Sequence, residues 1–239
     1  PDLLLRLWKN RYDIIVDVRS DGLAYLLRAK KRYTKWFARS YGTHAIEDLM
    51  GIIAPLHGDK PLPHTSVWPT ELDREYAKKE IAVFNNTGLL LAISTGDSRK
   101  PKKTWTTDKF VDLLNKHKDD FTGVIFLGNS YEAEGTREVA SKIDMQYINT
   151  IDNSLLEAAS LLEKSCLYIG SDSGLGHIAS AVKTPTISFF SLMKPDRYRP
   201  WGDKAVCICG SDNDVRNISV DEVSAVVLSD RKGRDINVT

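Results

Sequence analysis

Asp172, Ser173, Gly174 and His177 stand within six residues of one another, in Tyr168-Ile-Gly-Ser-Asp-Ser-Gly-Leu-Gly-His-Ile-Ala-Ser-Ala181. The apolar run Leu167-Tyr168-Ile169 predicts a buried strand. Gly170 and Ser171 follow it, and an alanine-rich run to Val182 predicts a helix. A strand that breaks through small residues into a helix leaves free backbone N–H groups and a positive dipole end at the carboxyl edge of a sheet. That is where a phosphate group is most readily held. Asp172 and His177 add a carboxylate and an imidazole at the same helix mouth. Each has a plainer role open to it, Asp172 as an N-cap and His177 as a satisfied histidine. Their joint placement at the strand-to-helix switch favours a site.

Two further strand ends carry polar residues. Ser94-Thr95-Gly96-Asp97 leads into Ser98-Arg-Lys-Pro-Lys-Lys-Thr-Trp105, which offers hydroxyls, a glycine and Lys103 to phosphate oxygens. Taken alone, Arg99, Lys100, Lys102 and Lys103 better suit a solvated loop, but Trp105, placed just before a helix, can lock that loop in position. Leu127-Gly128-Asn129 is followed by Glu132 and Glu134. An acidic residue beyond a glycine at a strand end can accept both hydroxyls of a ribose, or simply complement a helix dipole. Both readings of Glu132 stand. Asp17, Arg19 and Asp21 follow an earlier strand and could face a second substrate; N-capping by Asp21 and surface charge are the simpler account.

The elements that must position these residues are regular from residue 79 onward. Strands are expected at Leu89–Ser94, Gly123–Leu127, Gln146–Ile148, Cys166–Ile169, Thr186–Phe190 and Ala205–Cys209. Helices are expected at Thr107–His117, Tyr131–Ile143, Ser154–Lys164, Leu175–Val182 and Val220–Leu228. Apolar strands alternating with amphipathic helices imply a parallel, doubly wound sheet of Rossmann type. Residues 1–78 read as a second, incomplete α/β lobe. It has a strand over Tyr12–Val18, helices over Leu23–Lys30 and Ala45–Ile53, and an aromatic, basic segment Lys30–Phe37 that reads as a solvated amphipathic stretch or as a face for an anionic lipid headgroup. The prolines at 55, 61, 63 and 69 mark the crossover between lobes, and the polar tail Asp230–Thr239 is expected to fray.

The chain has 239 residues and a formal net charge of +1. That balance argues against a nucleic-acid partner. The three cysteines, Cys166, Cys207 and Cys209, show no metal or disulfide spacing and point to reduced thiols in the cytoplasm. His44, His57, His64 and His117 have no companion motif, so no metal is expected. No Gly-x-Gly-x-x-Gly follows the first strand of the regular lobe, which weighs against a dinucleotide-dependent oxidoreductase.

Taken together, these positions resemble glycosyltransferase family 9, the ADP-heptose:lipopolysaccharide heptosyltransferases. The hallmark Asp-Thr/Ser-Gly-x-x-His looks like Asp172-Ser173-Gly174-Leu175-Gly176-His177, followed by Ala179-Ser180-Ala181 and Pro185. The Lys-x-Trp element looks like Lys103-Thr104-Trp105, and the glycine-then-glutamate turn like Gly128 and Glu132. Ser154-Leu155 and Pro195-Asp-Arg197…Pro200-Trp-Gly202 also match, as do Arg11–Asp17 and His44…Leu49 in the first lobe. The resemblance implies a two-lobed GT-B fold, with the N-terminal lobe here truncated, and domains over 1–78 and 79–239. It implies inverting, metal-independent transfer of a heptose or related sugar from ADP-heptose to the lipopolysaccharide inner core, with no cofactor.

By position, Lys103 and the N–H groups of Ser173 and Gly174 would hold the diphosphate, with Ser94 and Thr95 adding hydroxyls. Glu132 would bind the ribose, and backbone near Asn153 and Ser154 the adenine. Asp172 would meet sugar hydroxyls with His177 supporting the loop, so that Lys103 and Asp172 are the catalytic candidates. The partners implied are a nucleotide-sugar and a lipid-linked saccharide of lipid A–Kdo type, in the cytoplasm and peripherally at the inner membrane. The family's base is an aspartate in a glycine-containing loop after the first strand of the first lobe. That segment would precede Pro1, and Asp17 and Asp21 replace it by location only. The chain is therefore also expected to suit a non-catalytic nucleotide-sugar-binding module or an inactive fragment.

Overall fold

The computed structural model describes residues 2–19, 22–38, 42–58, 60–84, 88–191 and 195–235. They fall into two compact units, Pro1–Pro63 with Asp196–Tyr198, and His64–Pro195 with Arg199–Thr239.

The first unit holds α1 (Asp2–Trp8), β1 (Arg11–Asp17), α2 (Leu23–Leu26), β2 (Arg28–Thr34) and α3 (Ala45–His57). The helix expected over Leu23–Lys30 ends after four residues. Leu27 turns to extended backbone, and the chain continues as β2, which pairs in parallel with β1 from Arg11↔Arg28 to Asp17↔Thr34. Arg32 makes this possible: its guanidinium donates to the carbonyl oxygens of Ala24, Leu27 and Ala29, which satisfies the end of α2. The basic segment is thus a strand followed by a single-turn helix over Lys35–Phe37, where Trp36 stacks on Tyr25 with ring centroids 5.3 Å apart.

The second unit begins with α4 (Glu71–Ile81), a helix the sequence reading did not include. Thr70 and Asp73 cap it reciprocally. The expected domain boundary after residue 78 falls inside this helix. It groups with the second unit because Arg74 pairs with Glu163 and because Ala77 and Ile81 are buried in that unit's core. Then follow β3 (Leu90–Ser94), α5 (Thr107–Lys116), β4 (Gly123–Gly128), α6 (Ala133–Lys142), β5 (Tyr147–Ile151), α7 (Leu155–Glu163), β6 (Leu167–Ser171), α8 (Gly174–Ala181) and β7 (Thr186–Phe190), then α9 (Pro195–Tyr198), whose residues Asp196–Tyr198 group with the first unit, and then β8 (Ala205–Cys209) and α10 (Val220–Asp235).

The six strands of this unit form one parallel sheet in the order β5-β4-β3-β6-β7-β8. Side chains alternate between its faces. Leu91, Ile93, Val124, Phe126, Leu167, Ile169 and Phe189 pack under α5, α6 and α10. Leu90, Ala92, Ile125, Leu127 and Tyr168 pack under α4, α7 and α8. Burial on both faces is why these strands read as unbroken apolar runs. The chain leaves β3 toward β4 and β5 on one side, and β6 leads to β7 and β8 on the other. The strand order therefore reverses between β3 and β6, which opens a crevice at their carboxyl ends.

Candidate functional site

The loop leaving β3 is held as a rigid bracket. Gly96 adopts φ +87°, and a side chain there would meet Ser171 Oγ at 2.9 Å. The Asp97 carboxylate accepts the Arg99 amide and guanidinium at 2.8–3.0 Å, which holds it well below the usual carboxylate range. The same guanidinium lies 3.2 Å from the centre of the Tyr131 ring, and Thr104 Oγ1 donates to the Asp97 carbonyl. Trp105 then anchors the loop from below. It is 1% exposed, packs against Phe110 and Phe189, and donates Nε1–H to the Ile218 carbonyl at 2.9 Å. Arg99 and Lys100 are thus engaged with Asp97. Lys103 is exposed and its ammonium is felt by Asp172.

Asp172 follows β6, and α8 begins two residues later. Burial pushes its carboxyl up from the ordinary value, while the nearby charges of Lys103 and His177 pull it down. The structure therefore brings Lys103, Asp172 and His177 into one electrostatic neighbourhood. Ser173 occupies the N-cap of α8 but makes no side-chain capping bond, and its hydroxyl is buried without a partner. Gly174 has open space where a side chain would stand.

Glu132 is 5% exposed. Its carboxylate accepts Ser94 Oγ–H at 2.7 Å and Gly96 N–H at 2.8 Å. Burial raises its pKa, and these bonds oppose the rise. Gly128, at φ +156°, is what makes room: a Cβ there would lie 2.7 Å from the Glu132 carboxyl carbon. Glu132 is more than a dipole partner for α6. It is a buried acid that faces a pocket of ≈ 280 Å³, which Asn153, Ser173 and Gly174 also line, with Leu155 and Leu175 as apolar wall. Asn153 accepts the Tyr76 hydroxyl on Oδ1, and its Nδ2 is buried with no partner. Tyr76, from α4, carried no signal in the sequence.

The remaining donor-side candidates are placed differently. Ser94 reaches the pocket only through Glu132. The Thr95 hydroxyl is buried against Thr136 and the Glu132 carbonyl. Ser154 caps α7 by exchanging bonds with Glu157, so its hydroxyl is already engaged. On the other unit, Asp17 ends β1 and accepts the Arg19 amide, while the Arg19 carbonyl accepts Lys35 Nζ. Asp21 lies outside the described residues. A second cavity, of ≈ 300 Å³, lies at the amino edge of the large sheet beside His64, Lys183 and Lys204, and collects none of the candidates.

Three of the other histidines have local structural partners. His44 caps α3, and His57 Nε2 lies 3.0 Å from the Lys60 carbonyl oxygen. His117 is buried between Asp120, 2.7 Å from Nδ1, and Ser224 of α10, 2.8 Å from Nε2. Among the described residues no group of three or more His, Cys, Asp or Glu is placed to hold a metal ion. No disulfide joins the three cysteines. No helix among the described residues is long and apolar enough to cross a membrane.

The family model for glycosyltransferase family 9 (heptosyltransferase) matches residues 6–223. Lipopolysaccharide heptosyltransferase 3 of Escherichia coli (strain K12) is 25% identical over 237 residues, covering 85% of this chain and 66% of its own length. Lipopolysaccharide heptosyltransferase 2 of the same strain is 22% identical over 153 residues, 60% of this chain and 44% of its own. The chain thus spans just under two thirds, or less, of these relatives. Among solved structures, the glycosyl transferase family 9 protein from Veillonella parvula DSM 2008 superposes with a TM-score of 0.82 at 16% identity, covering 96% of this chain and 76% of that one. E. coli heptosyltransferase WaaC with ADP gives 0.71 at 18% identity, with the same coverage. These two likenesses show the fold.

Proposed function

The chain belongs to glycosyltransferase family 9, and from that premise we propose that it is an inverting, metal-independent glycosyltransferase that takes a heptose or related sugar from ADP-heptose. Its acceptor is the lipopolysaccharide inner core, a lipid-linked saccharide of lipid A–Kdo type met peripherally at the cytoplasmic side of the inner membrane. The observation that carries the reading is one pocket with complementary chemistry at its two ends. A buried carboxylate and an orphaned amide donor, Glu132 and Asn153 Nδ2, suit a nucleoside. A helix N-terminus with an orphaned hydroxyl, close to a lysine, suits a diphosphate.

In the reaction the acceptor oxygen bonds to the anomeric carbon from the face opposite ADP. The bond from that carbon to the phosphate oxygen breaks, its electron pair leaves with ADP, and the acceptor proton passes to a base. Lys103 and the α8 N–H groups stabilise the growing charge on ADP, and Asp172 faces the sugar, where positive charge develops. His177 supports the loop.

The test is calorimetric titration with ADP and ADP-heptose. Lys103→Ala removes charge-assisted bonds and is expected to weaken ADP binding by about 10- to 100-fold, roughly 1.5–3 kcal/mol. Absence of binding, or binding untouched by Lys103→Ala and Asp172→Ala, would sink the assignment. The pocket is lined by residues of one unit alone, which also suits a module that holds a nucleotide-sugar without transferring it. Measurable transfer to a lipid A–Kdo acceptor rejects that second reading.

A further inference from the structure

Beneath the N-terminus of α8 lies a set of buried hydroxyls without partners: Tyr168, Ser173 and Ser188. Buried polar groups are nearly always satisfied, so three orphans in one place call for an explanation. Gly170 pairs with Ser94 on β3 and with Ser188 on β7, so this row crosses the sheet at one level, on one face. Tyr168 starts two residues earlier on that face and its ring reaches up past Gly170. A Cβ at Gly170 would collide with the tyrosine hydroxyl. A Cβ at Gly176 would lie 2.9 Å from Ser188 Oγ and 3.6 Å from the tyrosine ring. Two glycines thus clear a path for a side chain that is fully buried, and its hydroxyl arrives between Ser94 and Ser173. Ser94 already donates to Glu132, whereas Ser173 lines the pocket and makes no capping bond to α8.

We propose that Tyr168 is a positioning residue for the anionic part of a nucleoside diphosphate: when Ser173 turns its proton toward a phosphate oxygen, the Tyr168 O–H donates to Ser173 Oγ. The Tyr168 hydroxyl already faces Ser173 and Ser94 without a well-aligned bond, and a phosphate oxygen accepting from Ser173 fixes which way both protons point. Each bond polarises the next, so the pair strengthens the contact to phosphate. The inference rests on the donor-pocket reading above and adds to it a residue that does not touch the ligand.

Tyr168→Phe removes only the hydroxyl. The empty protein is expected to keep or raise its melting temperature, because an unsatisfied buried group is lost. ADP binding is expected to weaken about three- to tenfold, and adenosine binding to stay unchanged. In a Ser173→Ala background, Tyr168→Phe is expected to have no further effect on ADP. Unchanged ADP affinity, equal losses for ADP and adenosine, or loss of the folded state in Tyr168→Phe would each overturn the role, since each makes the hydroxyl idle or merely structural. If the unsubstituted chain binds no ADP, the pocket reading falls and the tyrosine's role with it. If it binds ADP and the phenylalanine variant binds equally well, only the tyrosine's role is removed.

Discussion

Gly128→Ala is a sharp test of how the Glu132 carboxylate is housed. The added methyl would lie 2.7 Å from the Glu132 carboxyl carbon and 2.9 Å from both its oxygens. The backbone there, at φ +156°, is one that side chains rarely adopt, a strain of about 1–3 kcal/mol. Relieving the clash displaces a carboxylate that accepts from Ser94 Oγ and Gly96 N–H. Bonds to a charged group contribute about 1.5–3 kcal/mol each. With partial adjustment of the side chain, the expected loss is about 4–6 kcal/mol, a large part of the ~5–15 kcal/mol that holds a typical domain. In a Glu132→Ala background the clash has no partner, and the same glycine substitution is expected to cost only the backbone strain of about 1–3 kcal/mol. Urea unfolding of the four proteins, followed by far-ultraviolet circular dichroism, gives the coupling, expected to be at least about 2 kcal/mol. Equal losses in the two backgrounds, within about 0.5 kcal/mol, would refute the idea that Gly128 exists to admit Glu132.

Two other expectations follow from the same packing. Trp105→Phe loses the indole bond to Ile218 and part of the core filling. Lys109 Nζ still meets that carbonyl at 2.7 Å, so the expected loss is about 2 kcal/mol, against about 3–5 for Trp105→Ala; an alanine variant as stable as the parent would contradict the anchoring role. Glu132→Gln tests the buried acid by pH. Burial raises the folded-state pKa above its usual 4.5, so the fold holds that proton more tightly than the unfolded chain does. The parent's stability relative to the glutamine variant is therefore greatest below 4.5 and declines as pH rises from there through the raised value. Denaturant unfolding of both proteins at about pH 4 and about pH 8 reads the difference, and a gap that widens in the parent's favour with pH would reverse the sign claimed.

Much of the second unit was legible because strands buried on both faces leave continuous apolar runs between amphipathic helices. Thr186–Phe190 and Ala205–Cys209 match their expected bounds, and most others shift by a residue or two. The strand expected over Gln146–Ile148 runs instead over Tyr147–Ile151, because its alternating burial leaves a weaker apolar signal. β2 was illegible for a different reason: Arg28-Ala-Lys-Lys-Arg-Tyr-Thr34 has no apolar alternation, and its strand state comes from pairing with β1 and from the reach of Arg32. α4 carries a readable cap at Thr70 and Asp73, but its apolar stripe is thin. At the site, the bracket formed by Trp105 was foreseeable from its place before a helix. The Ser154–Glu157 cap was equally readable as a local serine-to-glutamate spacing, but the engagement of Thr95 with Thr136 was not, since the partner of that hydroxyl is forty-one residues away and depends on folding. Tyr168 read as one more apolar residue of a buried strand; its polar end acquires meaning only when Gly170 and Ser173 are seen around it.

The anchoring of Trp105 also gives the molecule a built-in optical gauge. Trp8, Trp36 and Trp68 are wet, at 49%, 59% and 78% exposure, while Trp105 is sealed at 1%. As a sealed indole it is expected to emit to the blue of those three. It sits two residues from Lys103 and is tied to the segment that enters α10. Any event that lifts the lysine loop from the sheet wets that indole, so its colour reports whether the loop is seated.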